Sequence, residues 1–396
     1  MKILYIAHRV PYPPDKGDKI RSFHMIKHLS QSHSIHLACL ASSRQEVGKA
    51  EALRAYCDSI DVALMSPLRS KIRSFFHILS PNPLTLSYFD SKRLQALINH
   101  RLQEEKFDLI FVFSSGMAQF VPRAQGVFKI IDFADVDSDK WFQYSKFVKA
   151  PLSHVYRLEG ERLKRFEVSL APLYDCCTVI SNAEERLFRS YSDRFVLCTV
   201  PNGVDVEYFQ APKRVSLPQS LIFMGVMDYY ANVDGVLYFY QQILPLIQKA
   251  IPQVKFTILG GNPIRAIRKL GKSENVTITG YVPDVRPYLS ESNVCVVPLR
   301  IARGVQNKIL EAMAMGVPVV ATARAKEGIN AQPGRHIMVA DDPADFAAKT
   351  VELLLDPQLQ QTISQAARQL VENEYRWRNC LQKLDVIIES MAQRSP

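Results

Sequence analysis

Val294-Cys-Val-Val-Pro298-Leu299-Arg300-Ile-Ala-Arg303-Gly304-Val-Gln306-Asn307-Lys308-Ile-Leu310-Glu311-Ala-Met-Ala-Met-Gly316-Val-Pro318-Val-Val-Ala-Thr322 is the stretch that decides the fold. A short, fully apolar run opens it, as in a strand covered on both faces. A basic, glycine-containing loop follows, then an Ala/Met/Leu helix. Gly316 stands where a helix C-cap is expected, and Pro318 opens a second apolar strand. Asn307, Lys308 and Glu311 fall three and four residues apart, so one helical face carries them at its N-terminal end. Free backbone N–H groups and the positive end of the dipole lie there, a seat for a diphosphate. Lys308 adds a point charge and Arg303 a fork of donors. Glu311, one turn in, can accept from two vicinal hydroxyls such as those of a ribose. As a bare surface pair, Lys308 and Glu311 would need no Arg–Gly loop ahead of them.

The strand–helix alternation extends in both directions. Predicted strands in the first half are Lys2–Ala7, Ser34–Leu40, Asp61–Met65, Leu109–Phe113, Lys129–Asp132 and Cys177–Ile180. In the second they are Ser220–Met224, Lys255–Leu259, Val276–Thr279, Val294–Pro298 and Pro318–Ala321. Such alternation predicts parallel sheets with helices on both faces, an α/β fold. Two series, separated near Val200–Asp205 and the loose stretch 210–219, predict two doubly wound domains. Ligands of such sheets sit beyond the carboxyl ends of the strands, so chemistry is expected on the loops there, in a cleft between the domains.

Length and composition set the bounds. The 396 residues suit two domains, with 47% apolar and 22% charged residues. No apolar run reaches the roughly 18 residues of a membrane span, and the opening residues read as a first buried strand. Seven scattered cysteines, none in a Cys-x-x-Cys or Cys/His spacing, point to neither a disulfide framework nor a zinc site and suit a reducing cytoplasm. The net charge of +10 is uneven: residues 1–200 hold 28 basic and 21 acidic side chains, the remainder 21 and 18. An anionic partner is implied, whether phosphate, acidic lipid or nucleic acid. G-x-G-x-x-G, the P-loop, H-E-x-x-H, G-x-S-x-G and kinase signatures are all missing. Asp135, Asp137 and Asp139 form a carboxylate cluster with two readings, a cation site or the acidic first turn of a helix.

Four further blocks carry a resemblance. Val200-Pro-Asn-Gly-Val-Asp205 with Phe209, Phe223-Met-Gly225, Val276-Thr-Ile-Thr-Gly280-Tyr281-Val282-Pro-Asp284 and Tyr375-Arg-Trp377 flank Leu310-Glu311-Ala-Met-Ala-Met-Gly316-Val-Pro318 in order. Together they resemble the family 4 retaining glycosyltransferases. What the resemblance implies is the GT-B fold: an acceptor-side Rossmann-like domain over 1–200, a nucleotide-sugar-binding one over 201–374, and a helix over 375–396 returning to the first. From the residues themselves Arg303, Lys308 and Glu311 are expected to carry catalysis, the first two on the diphosphate and Glu311 on the ribose. Residues and resemblance together make Gly17, Arg21, Gly225, Asn232, Tyr281, Val282, Arg300, Gly304, Gln306 and Asn307 the donor candidates, with Tyr281 and Val282 framing the base, and the resemblance sets the Gly17 loop against the diphosphate. It implies no metal and no cofactor.

Two departures accompany it. The family carries two glutamates eight positions apart; Glu311 matches the second, and Arg303 holds the first position. After Gly225 the usual Arg and Lys are replaced by Val226-Met-Asp-Tyr-Tyr-Ala-Asn232-Val-Asp234. Loss of bases there is balanced by Arg300, Arg303 and Lys308 on the other loop. Jointly these features are similar to a subgroup linked to exopolysaccharide assembly and the PEP-CTERM system.

In the first half, Pro11-Tyr-Pro-Pro-Asp-Lys-Gly17-Asp-Lys-Ile-Arg21 opens a helix running to about Ser30, its glycine and bases suited to phosphate. His8, Ser115 and Asp132, near strand ends, are the acceptor candidates. Arg69 to Ile78 and Lys146 to Arg165 interleave bases with aromatic and apolar residues. These segments suit an anionic membrane surface and a lipid-linked or saccharide acceptor, and no nucleic-acid motif accompanies them. The chain is expected in the cytoplasm, peripheral at the inner face of the plasma membrane. A sugar-nucleotide 2-epimerase and a non-catalytic nucleotide-sugar-binding scaffold remain the alternatives.

Overall fold

A computed structural model describes residues 1–121, 126–210 and 217–393. Most of the loose separator read from the sequence, residues 211–216, lies outside the described residues. The chain forms two units: Met1–Pro201 with Leu381–Pro396, and Asn202–Cys380.

The first unit is built on a seven-stranded sheet of β1 (Lys2–Ala7), β2 (Ser34–Ala41), β3 (Ser59–Leu64), β4 (Leu109–Phe113), β5 (Phe128–Ala134), β6 (Cys176–Val179) and β7 (Leu197–Thr199). The order is β3-β2-β1-β4-β5-β6-β7, with every neighbouring pair parallel. All five residues of β4 are buried, as are Ile3–Ala7, because helices cover both faces. In the second unit the strands are β8 (Ser220–Met224), β9 (Lys255–Leu259), β10 (Val276–Gly280), β11 (Val294–Val297), β12 (Val319–Ala321) and β13 (Met338–Val339). Their order is β10-β9-β8-β11-β12-β13, again parallel throughout. β7 and β13, of three and two residues, were not expected; strands that short carry no readable periodicity.

Each sheet reverses its order at one place, between β1 and β4 and between β8 and β11. There the flanking connections leave in opposite directions and open a crevice at the carboxyl ends of the strands. Chain return comes at Leu381, within the helix Trp377–Ala392, a few residues beyond the position read from the sequence. In the first unit that helix sets Asp385 against His28 of the helix Gly17–Leu29, Nε2 to Oδ1 at 2.8 Å. Asp137 and Asp139 lie in the acidic first turn of the helix Asp137–Phe147. Among the described residues no group of three or more His, Cys, Asp and Glu side chains is arranged to hold a metal ion.

Candidate active site

At the β8/β11 reversal two loops meet. One runs from Gly225 into the helix Tyr230–Tyr238; the other runs from Pro298 to the helix Asn307–Ala314. The second helix presents Ile309, Leu310, Ala312, Met313 and Ala314 to the core, leaving its remaining face for Lys308 and Glu311. It closes on Gly316 at φ +68°, where the Gly316 N–H reaches the Met313 carbonyl and the Val317 N–H that of Ala312. A left-handed residue followed by this pair of bonds is the C-terminal lock predicted from Gly316 and Pro318. The start of the helix is tied by Asn202, whose Nδ2 donates to Asn307 Oδ1 at 3.0 Å.

The Lys308 ammonium donates to Asn232 Oδ1 at 2.6 Å and lies 4.5 Å from the Phe223 ring centroid. Asn232 in turn donates from Nδ2 to the Val226 carbonyl at 3.0 Å. The helix Tyr230–Tyr238 therefore supplies an amide acceptor for the lysine that opens the other helix. Burial pushes Lys308 down to about 8, with the thiol of Cys295 and the carboxyl of Glu311 pulling the other way. Burial likewise pushes Glu311 up to about 7, against the opposing charge of Lys308. Near neutrality the lysine is mostly charged and the glutamate about half so, each at a desolvation cost that a diphosphate on one and sugar hydroxyls on the other would relieve.

Two backbone crossings fix these loops. A Cβ on Gly260 would stand 1.7 Å from the Gly225 carbonyl oxygen, and one on Gly328 2.1 Å from that of Gly304. Only glycine allows so close an approach. Gly304 itself takes φ +58°. Neither Gly260 nor Gly328 was singled out from the sequence, because the partner of each is distant along the chain. Asn202, Phe223 and Cys295 were missed as site residues for the same reason.

The remaining donor candidates divide. Arg300 forks onto Asp234, Nε to Oδ2 at 3.0 Å with Nη2 bonded to Oδ1, and lies over the Tyr238 ring. Its charge is thus answered within the protein. Gln306 donates to the Arg303 carbonyl at 2.8 Å, closing the turn before the helix, and Arg303 is half-buried. Tyr281 follows Gly280, at φ +70° on the edge strand β10, and leaves 71% of its surface exposed, a free ring face; Val282 beside it is half-buried. A separate cavity of about 280 Å³ lies between residues 330–336 and the helix Pro357–Glu374. Its Asn330 and Glu374 satisfy each other at 3.2 Å, and it holds none of these side chains.

In the first unit the β1/β4 reversal brings His8 and Ser115 to neighbouring strand ends. The His8 ring stacks on Phe113 with centroids 5.7 Å apart, meets Phe89 edge-on, and bonds Asp18 through Nε2 at 2.9 Å. Its Nδ1 and the Ser115 hydroxyl are buried with no hydrogen-bond partner among the described residues. Asp18 is held well below the usual carboxylate range: burial works against this, and His8 and Arg9 override it. Gly17 opens its helix with open space where a Cβ would stand. Arg21 and Asp132 need correction. The guanidinium of Arg21, 1% exposed, forks onto Asp132, 0% exposed, at 2.7 and 2.9 Å, and Thr178 Oγ1 donates to the same carboxylate at 2.7 Å. Neither side chain reaches a surface where a diphosphate or an acceptor could meet it. They pin a helix to the sheet.

The fold has counterparts among known proteins. Residues 218–356 match the family model described as Glycosyl transferases group 1. An uncharacterized 44.6 kDa protein in the cps region of Klebsiella pneumoniae is 24% identical over 136 residues, 32% of this chain; the match spans about a third, 35%, of that protein's length. Sucrose-phosphate synthase from Thermosynechococcus elongatus superposes with a TM-score of 0.75 at 15% identity over 100% of both chains. HepE of Anabaena, solved with UDP, gives 0.69 at 15% identity, covering 98% of this chain and 100% of its own. TarM of S. aureus, solved as a variant with UDP, gives 0.67 at 12% identity over 97% and 98%. Residues 218–356 thus match a group 1 glycosyltransferase domain, and the chain has the GT-B fold of these structures.

Proposed function

We propose that this chain transfers a sugar from a nucleotide-sugar donor to a saccharide acceptor with retention of anomeric configuration, and without a metal. The observation that carries the reading is Lys308 and Glu311, half-buried on one helix face at the β8/β11 reversal, where desolvation draws the lysine down to about 8 and the glutamate up to about 7. Lys308 and the N–H groups that open the helix Asn307–Ala314 meet the diphosphate and stabilise the charge that grows on it as the glycosidic bond to the donor breaks. Glu311 accepts from the ribose hydroxyls, and Tyr281 offers its ring to the base. His8 and Ser115 supply polar groups for the acceptor. In a retaining transfer of this kind the departing diphosphate takes the acceptor proton, and the protein positions the partners.

HepE has been solved with UDP and with UDP-glucose, which makes uridine the first base to test. The acceptor is read as lipid-linked and the product as an exported polysaccharide, with the chain in the exopolysaccharide-associated subgroup of family 4. It would act in the cytoplasm, at the inner face of the membrane; no helix among the described residues is long and apolar enough to cross one.

Calorimetric titration of UDP-, GDP- and ADP-sugars, with and without EDTA, tests the donor site. Binding insensitive to EDTA and lost in Glu311→Ala is expected. Product analysis then separates a glycoside from an epimerised or unchanged donor; either of the last two overturns the transferase reading.

A further inference from the structure

The helix Pro67–Phe76 is built inside out. Leu68, Ile72, Phe75 and Phe76 follow the i, i+4, i+7, i+8 spacing that normally marks a core-facing stripe. Here that stripe faces outward: these four, and Leu79 in the turn that follows, are 49–93% exposed. The face turned inward is polar. Ser70 is buried, and Ser74 donates to the Leu84 carbonyl at 3.2 Å. Arg73 donates to the carbonyls of Ser87 and Asp90, both at 2.6 Å. At 100° per residue the two faces lie about 170° apart.

Nothing about the segment is loosely placed. Glu159, itself buried, accepts from the Leu84 and Thr85 N–H groups at 2.7 and 2.9 Å, seating the helix Leu84–Phe89 that receives Arg73 and Ser74. Arg162 donates to the Ile78 carbonyl at 2.9 Å. Buried polar bonds therefore hold an apolar ridge out to solvent. Leaving four large apolar side chains exposed on a fixed helix costs solubility unless something covers them.

Charge selects the cover. Arg69 and Lys71 are exposed and project on opposite flanks of the apolar stripe, about 80° to either side of its centre. From Ser66 through Phe89 there is no acidic residue. A second copy of the same face would bring these cations against each other. An anionic lipid surface instead takes the apolar ridge between its acyl chains and the flanking cations at its headgroups.

We infer that Pro67–Leu79 is a membrane-docking element, which lies in the interface of an anionic bilayer with Phe75 and Phe76 inserted. This deepens the peripheral reading given above and rests on it, not on the donor site. The test is sedimentation of the full chain with vesicles of phosphatidylcholine alone, or with about one-third phosphatidylglycerol. Three proteins are compared: wild type, Phe75→Ser/Phe76→Ser, and Arg69→Ser/Lys71→Ser.

The wild type is expected to bind the anionic vesicles. The phenylalanine variant should lose about 30-fold in partitioning, and the charge variant roughly tenfold on anionic vesicles only. UDP-glucose affinity should be unchanged in all three, since none of the four side chains belongs to the donor site. If the wild type binds no vesicle, the peripheral reading and the docking element both fall, whatever the donor titration shows. If all three bind vesicles equally, this helix is not the element. If the phenylalanine variant instead converts a dimer to a monomer in velocity sedimentation, with vesicle binding untouched, the face serves a second copy and the inference is overturned.

Discussion

The pair Lys308 and Glu311 makes donor binding a proton-linked event with opposite signs on either side of neutrality. Free Lys308 titrates at about 8 because it is buried. A diphosphate beside it returns it to the ordinary lysine range. At about pH 8.5 the free lysine is roughly one-quarter protonated and the bound one almost wholly so, and binding takes up ~0.7 proton. Glu311, at about 7, behaves in mirror image. Hydroxyls donating to its carboxylate lower it, so at about pH 6.5 binding releases ~0.7 proton. The two effects cross near pH 7.5. Above pH 8 the affinity should fall by about tenfold per pH unit, until the bound lysine itself titrates.

The assay is calorimetry of UDP-glucose, whose esterified diphosphate does not titrate in this range, in buffers of different ionisation enthalpy. The slope of observed heat against buffer heat counts the protons. Lys308→Met should abolish the uptake and keep the release; Glu311→Gln should do the reverse. Tight binding with zero slope at pH 8.5 would refute the placement of the diphosphate on Lys308.

The same shifts act on stability. Glu311, raised above its unfolded value of 4.5, contributes stability that is present below about pH 4.5 and lost as pH rises through 7. The contribution of Lys308, lowered from 10.5, is present above that value and lost as pH falls through 8. Thermal melting should therefore show the largest protection by UDP-glucose between pH 7 and 8. Arg21→Met leaves the buried Asp132 carboxylate without its guanidinium partner, held by Thr178 and the Ala134 N–H, and should cost about 3–5 kcal/mol. It should lower the melting temperature of the first unit by roughly 6–20 °C while UDP-glucose affinity holds; an unchanged melt would return Arg21 to the list of ligand residues. Gly328→Ala forces the Gly304 loop away and should weaken donor binding at least about tenfold, whereas Gly48→Ala, which meets nothing within 4 Å, should leave binding alone and stabilise by ~0.5 kcal/mol. Equal binding by the two alanine variants would show that the crossing does not shape the site.

The readable part of this protein was the part written locally. Val294–Thr322 announced its strand, loop, helix and cap because each depends on neighbours in sequence, and Gly316 closes the helix as its position implied. What the sequence concealed are partnerships across the fold. Arg21 looked like a ligand residue among the bases that open a helix, and Asp132 because it was read as ending a strand, yet 111 positions apart they neutralise each other. Arg300 meets Asp234 across 66 positions, and nothing local distinguishes it from Arg303. Arg69–Ile78 read as suiting a membrane surface from its bases and aromatic residues, but which face its helix turns outward is a property of the fold and not of the period.

The discontinuity of the first unit has a consequence for how the chain is made. Leu381, Leu384 and Ile388 are buried in the finished protein, at 0%, 0% and 2% exposure, and the unit they belong to has its last strand at Thr199. A ribosome adding about 5–20 residues per second needs roughly 10–35 s to make the intervening residues 202–380. Through that interval the amino-terminal sheet waits with the receiving surface for those side chains uncovered. The second unit, contiguous in sequence, emerges whole in the meantime. The unit synthesised first is thus the one completed last.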